Sequence, residues 1–185
     1  MKNGDSSRYL SELNKNKHKL RMKKIALLII IFATFSCTQA QKTEFSKKAL
    51  TETLLATDGS QIKFKDILKN QKGKTTVIEV WASWCGDCVK AMPKLKELQA
   101  NNPNVSYVFL SMDKTADKWK IGIEKHELNG SHFMANDGMK GVFGSALDLD
   151  WIPRYIIVDK TGKIVLYRAI ETDFEQINTT LKQLQ

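Results

Sequence analysis

The sequence predicts an α/β domain: a central mixed sheet flanked by helices, with an N-terminal hairpin in front. Three observations predict it. Residues 75–81 and 105–111 are β-rich, mostly apolar runs of the kind that central strands covered on both faces require. Each is followed by a stretch whose apolar residues recur at helical spacing, and strand, helix, strand, helix implies parallel pairing. Residues 154–158 and 163–167 then flank Asp159-Lys160-Thr161-Gly162, the pattern of a hairpin.

The chain has 185 residues and a formal charge of +9, but the charge is unevenly placed. Residues 1–24 carry eight Lys/Arg against two Asp/Glu, whereas residues 41–185 carry 21 against 18. So nearly balanced a body, without a basic stripe interleaved with aromatics, gives no electrostatic case for nucleic acid. After Lys23-Lys24, residues 25–35 hold no charge and one polar side chain, Thr34. Eleven residues are too few to span a bilayer, which needs about 20, yet they suit the apolar region of a secretory signal. Two cleavage sites fit: after Ala40, behind Thr38-Gln39-Ala40, or before Cys37, where Ser36-Cys37 resembles a lipobox and would give a lipid anchor. Membrane association is expected only through the signal or that anchor. The expected organisation is an extension with signal peptide over 1–40, a polar linker over 41–49 and one domain over 50–185.

Within the domain, residues 53–64 read as two short strands around Asp58-Gly59, a strong hairpin signal. A short helix is expected over 64–70 and a turn at Lys72-Gly73-Lys74. The strand at 75–81 leads to a helix over 86–100, with Val89, Met92, Leu95 and Leu98 on its buried face. Residues 113–126 form the next expected helix, with Trp119 and Ile123 on one side. A strand at 131–134, a glycine-bearing stretch through Gly138, Gly141 and Gly144, and a closing helix over 173–184 complete the domain. Those glycines match no phosphate-binding motif.

The chemistry concentrates at Cys85 and Cys88. On a helix's first turn, positions i and i+3 lie on one face, close enough for a disulfide, and the positive helix N-terminus favours a thiolate at Cys85. Such placement lowers a thiol pKa from about 8.5 to about 7 or below. Cys85 is therefore the expected attacker and Cys88 the resolver, exchanging through a mixed disulfide. A metal half-site or an inert structural pair remain as alternatives, although His126 and His132 are the only histidines of the body to complete a ligand set.

The block Val80-Trp81-Ala82-Ser83-Trp84-Cys85-Gly86-Asp87-Cys88, followed by Pro93, resembles the active site of thioredoxins, particularly TlpA-like envelope thioredoxins, and the resemblance covers about residues 51–184. It implies a thioredoxin-like fold and a thiol–disulfide oxidoreductase that needs no metal and no cofactor beyond its own redox-active disulfide. It makes Glu79, six residues before Cys85, a candidate proton acceptor for Cys88, and burial would raise its pKa into a useful range. Ile152-Pro153 resembles the family's cis-Pro loop, and Trp84, Gly86, Asp87, Ile152 and Pro153 are the expected substrate-binding residues. Pro93 would kink the helix, and residues 112–151 resemble the insertion of TlpA-like relatives.

The sequence departs from the family at Asp87, where Pro is frequent, and at Val89 and Ala91, where a basic and an acidic residue are frequent. A carboxylate some 6 Å from the Cys85 sulfur raises the thiol pKa by about one unit, which moves the two-electron potential by only about 8 mV. Asp87 alone therefore does not set direction. The expected function is an exported disulfide reductase in the periplasm or cell envelope of a Gram-negative-type bacterium, acting on protein disulfides and recharged by a membrane thiol–disulfide donor. A dithiol oxidase or isomerase, or a metal-binding module using the same pair, are the alternatives.

Overall fold

The computed structural model describes residues 41–185; the expected signal segment, both cleavage sites and Cys37 lie outside the described residues. In chain order the elements are α1 (Lys47–Thr51), β1 (Thr53–Ala56), β2 (Gln61–Lys63), α2 (Phe64–Asn70), β3 (Thr76–Trp81), α3 (Gly86–Asn101) and β4 (Ser106–Ser111). They continue as α4 (Ala116–His126), β5 (Ser131–Met134), α5 (Val142–Ala146), β6 (Arg154–Val158), β7 (Ile164–Ala169) and α6 (Phe174–Gln183). The strands form one mixed sheet in the order β2-β1-β5-β4-β3-β6-β7.

Every residue of β3 is buried. It pairs parallel with β4 and antiparallel with β6, so its backbone groups are satisfied on both edges while its side chains are buried on both faces. Neighbouring contacts identify one of those faces. Tyr107 of β4 donates its hydroxyl to the Leu98 carbonyl of α3 at 3.3 Å, and Tyr107 stands opposite Val77 of β3. Side chains two apart on a strand share a face, so Glu79 lies under α3 as well. Glu79 in turn stands opposite Tyr155 of β6, whose ring packs at 5.2 Å on Phe174 at the start of α6. Helices α3 and α6 thus cover the face that carries Glu79.

The N-terminal hairpin forms as the Asp58-Gly59 signal predicts, with Leu54 opposite Ile62. Gly59 sits at φ 87°, a conformation that favours glycine, and the Asp58 carboxylate accepts the Ser60 N–H at 2.8 Å. The insertion anchors this hairpin: β5 pairs parallel with β4 on one side and antiparallel with β1 on the other, Leu55 facing Met134.

Three expectations need correction. The polar stretch 41–49 is packed rather than a free linker: Phe45 lies 4.9 Å from Phe64, Ala49 is fully buried, and the Ser46 hydroxyl caps α1 by accepting the Ala49 N–H. Val89 is 36 % exposed, and the buried face of α3 is instead Cys88, Ala91, Met92, Leu95 and Leu98. A spacing of three falls about 60° short of a turn at each step, so a stripe drawn that way drifts off the buried face at its end. Helix α4 starts at Ala116, not 113, because the Asp113 carboxylate is held in the preceding loop by Ser83 and Ser111.

Helix α4 also packs closely on the loop after β3. A Cβ added at Gly122 would stand 2.8 Å from the Ser83 Cβ and 3.1 Å from the Trp81 ring. Gly122→Ala is expected to destabilise the domain by about 1–3 kcal/mol through this overpacking, measured by chemical denaturation; a change within about 0.5 kcal/mol would show that the loop yields freely.

Candidate active site

The site is built where β3 ends and α3 begins. Cys85 is the N-cap of α3 in extended conformation, and its Sγ accepts the backbone N–H of Cys88 at 3.1 Å. The first turn of the helix therefore points a donor and the positive end of its dipole at this sulfur, which is where a thiolate gains most. Cys85 and Cys88 are joined as a disulfide, with Cα atoms 5.3 Å apart. Their burial is unequal: Cys85 is 6 % exposed and Cys88 fully buried. Only Cys85 offers its sulfur to an incoming group.

The loop that presents Cys85 is tied from below. Asp113, itself fully buried, accepts the Ser83 N–H at 3.0 Å, the Ser83 hydroxyl at 2.7 Å and the Ser111 hydroxyl at 2.7 Å. Three donors on one carboxylate fix residues 82–84 against the end of β4.

Ile152-Pro153 is a cis peptide, and the Ile152 carbonyl oxygen lies 3.4 Å from Cys85 Sγ. The loop before it is clamped by charge. Asp150 accepts Arg154 Nη2 at 2.5 Å and Arg168 Nη2 at 2.6 Å, while Arg154 Nη1 donates to the Arg168 carbonyl at 3.0 Å. The result is a groove of about 370 Å³ beside the disulfide, lined by Trp84, Cys85, Gly86, Asp87, Met139, Asp150, Trp151 and Ile152. Trp84 and Trp151 are 57 % and 55 % exposed, so two large apolar rings stand in solvent around the more accessible sulfur of the pair. Asp87 at the helix start is ion-paired with Lys90 at 3.2 Å, which offsets part of its repulsion of a thiolate.

Glu79 is 2 % exposed. Burial pushes its carboxyl up to about 8, opposed by the Tyr155 hydroxyl, which donates to Oε1 at 3.3 Å. Its other oxygen, Oε2, is buried without a hydrogen-bond partner among the described residues.

The structure thus brings Trp84, Cys85, Gly86, Asp87 and Ile152 together at the groove, with Pro153 following Ile152 and Glu79 inside the sheet on the α3 face. Sequence reasoning missed Asp113, Met139, Asp150, Trp151 and Tyr155. Trp151 had a readable signal, an aromatic next to Ile152-Pro153. Tyr155 and Asp113 become visible only once strand register and loop packing are known. Among the described residues, no group of three or more His, Cys, Asp or Glu is arranged to hold a metal ion.

Residues 39–182 match the family model described as Redoxin. The ResA thiol-disulfide oxidoreductase of Bacillus thuringiensis subsp. konkukian is 27 % identical, covering 91 % of this chain and 98 % of that protein. Among solved structures, the thioredoxin domain of a thiol-disulfide oxidoreductase from Bacteroides vulgatus aligns with a TM-score of 0.59 at 24 % identity, over 72 % of this chain and 93 % of that one. A thiol-disulfide oxidoreductase from Bacteroides fragilis aligns with a TM-score of 0.62 at 21 % identity, over 78 % of this chain and all of that one. At these identities the two structures speak for the fold.

The raised carboxyl of Glu79 has a thermodynamic consequence. Between its ordinary value of 4.5 and about 8, the folded state binds a proton that the unfolded state has released, so stability falls as pH rises through that window. The slope expected from Glu79 approaches about 1.4 kcal/mol per pH unit at most. Denaturation curves from pH 4 to 9 should show this loss in the wild type and a flatter profile in Glu79→Gln; identical profiles would show that Glu79 is ionised in the fold.

Proposed function

This chain belongs to the Redoxin family and is a thioredoxin-like thiol–disulfide oxidoreductase, and on that footing we propose that it works as an exported disulfide reductase acting on protein disulfides. The observation that carries the reading is the asymmetry of the pair: a helix-capping Cys85 at the floor of an open, tryptophan-walled groove, and a Cys88 closed off behind it.

The reduced pair begins the reaction. Cys85 thiolate attacks one sulfur of a substrate disulfide; the Cys85–substrate bond forms as the substrate's own disulfide breaks, and its other sulfur leaves as a thiolate. Glu79 then takes the Cys88 proton. Cys88 thiolate attacks Cys85 Sγ, the mixed disulfide breaks, and the second substrate sulfur leaves as a thiolate. The substrate has gained two electrons and the enzyme holds the Cys85–Cys88 disulfide. A membrane dithiol donor returns the two electrons.

The geometry suits this route because each partner has a separate place. Trp84 and Trp151 offer apolar contact to the residues flanking the substrate cysteine, and the Ile152 carbonyl beside Cys85 offers backbone to an extended segment. Glu79 lies on the face of the sheet covered by α3, the helix that carries Cys88. No cofactor enters the cycle. The export half of the proposal rests on residues 25–35 behind Lys23-Lys24, and places the domain in the periplasm or cell envelope, with a lipid anchor if cleavage falls before Cys37. No helix among the described residues is long and apolar enough to cross a membrane.

Two measurements test the mechanism and its direction. Cys88→Ser expressed in its host should accumulate mixed disulfides with substrates through Cys85, and Cys85→Ser should accumulate none; equal trapping by both would reverse the assignment of attacker and resolver. The midpoint potential of the pair against glutathione should lie near or below about −230 mV, whereas a value near about −120 mV would make the protein an oxidant.

A further inference from the structure

Glu79 and Tyr155 are directly opposite each other on antiparallel strands, so their side chains leave the sheet on the same face. The tyrosine is immobilised: it is fully buried, and Phe174 packs on its ring at 5.2 Å. Its hydroxyl donates to Oε1 of Glu79 at 3.3 Å, and Oε2 of the same carboxyl is buried with no hydrogen-bond partner among the described residues. The two oxygens of one acid are therefore in different states: one accepts from a fixed donor, and the other has no hydrogen-bond partner among the described residues.

We propose that Tyr155 is a positioning residue for the exchange reaction: by holding Oε1 it turns the Glu79 carboxyl so that Oε2 is the atom that takes the Cys88 proton. The inference rests on Glu79 being the proton acceptor, and it adds the group that keeps that acceptor usable. An ionised carboxylate in an apolar interior is strongly disfavoured unless it is hydrogen-bonded. Among the described residues, the Tyr155 O–H is the group whose interaction favours the charged form of Glu79 against burial. Tyr155 does not compete for the proton, because burial and the adjacent Glu79 charge raise its phenol far above its ordinary range.

The surroundings leave this role to Tyr155. On β4 the residue opposite Glu79 is Phe109; on the same covered face α3 carries the buried Cys88, and Phe174 of α6 packs on the Tyr155 ring. The charge of Glu171, in the turn before α6, acts on Tyr155, and no charged side chain among the described residues acts on Glu79 itself. Without the Tyr155 hydroxyl neither carboxyl oxygen would have a partner among the described residues, and the ionised form that accepts the Cys88 proton would be scarcer still at neutral pH.

The test separates the two chemical steps. Attack by Cys85 is followed as alkylation of that thiol in the Cys88→Ser background, and resolution as single-turnover release of reduced product from a preformed mixed disulfide, both against pH. Tyr155→Phe should move the inflection of the resolution step upward by about one to two pH units, slowing resolution at pH 7 about 10- to 100-fold, while Cys85 alkylation keeps its wild-type profile. Replacing tyrosine by fluorotyrosine, a stronger donor of the same shape, should move the same inflection downward. An inflection that neither change moves, in a protein where Glu79→Gln abolishes it, overturns the role of Tyr155 and leaves Glu79 standing. If Glu79→Gln leaves the inflection in place, the proton acceptor itself is wrong.

Discussion

The domain over residues 41–185 is organised around a strand that must be buried on both faces and yet end at solvent. Strand β3 is paired on both edges and covered on both sides, so its path is fixed over its full length. Where it stops, the chain turns over Ala82-Ser83-Trp84 and enters α3 at Cys85. The turn is held by the Asp113 carboxylate from one side and by the close approach of Gly122 from the other. A nucleophile placed on a free loop would sample many orientations; this one inherits the rigidity of the sheet and the donor of the helix's first turn.

The same strand carries the feature that strains this arrangement. An acid in the middle of an apolar strand opposes folding whenever it is ionised, and Glu79 is accommodated by a single donor from the neighbouring strand. The compromise explains why the site is divided into a wet half and a dry half. Cys85, Asp87, Lys90 and the two tryptophans belong to the wet half, where charge is screened and partners come and go. Cys88, Glu79 and Tyr155 belong to the dry half, where burial favours the protonated form of Glu79 and one hydrogen bond opposes it.

Much of this was legible before any coordinates. The strands at 75–81 and 105–111 declare themselves by continuous apolar β-rich residues, and the hairpins by Asp58-Gly59 and Asp159-Lys160-Thr161-Gly162, because each signal is local. Cys85, Cys88 and Glu79 could be placed on their elements because the chemistry and the strand share one segment. What escaped reading depends on distant parts of the chain meeting. Phe45 and Ala49 look like linker until Phe64 is beside them. Val89 looks buried until the true helical pitch rotates it outward. Asp113 belongs to a helix by composition but to the active-site loop by its three donors, two of which come from Ser83, thirty residues earlier. Tyr155 reads as one more apolar strand residue until the register sets it against Glu79.

Strand β5 gives the insertion an architectural duty as well. The hairpin of β1 and β2 reaches the rest of the sheet through β5, by pairs such as Leu55 with Met134 that are far apart along the chain. Joining ends that distant carries a loop-closure cost that local hairpin formation does not. Among the described residues the hairpin therefore depends on β5 for the edge it docks on. The insertion also contributes Met139, Asp150 and Trp151 to the groove, so the segment that completes the sheet and the segment that shapes the entrance are one. A change that displaces residues 131–151 is therefore expected to be felt both at the edge where the hairpin docks and at the mouth of the groove.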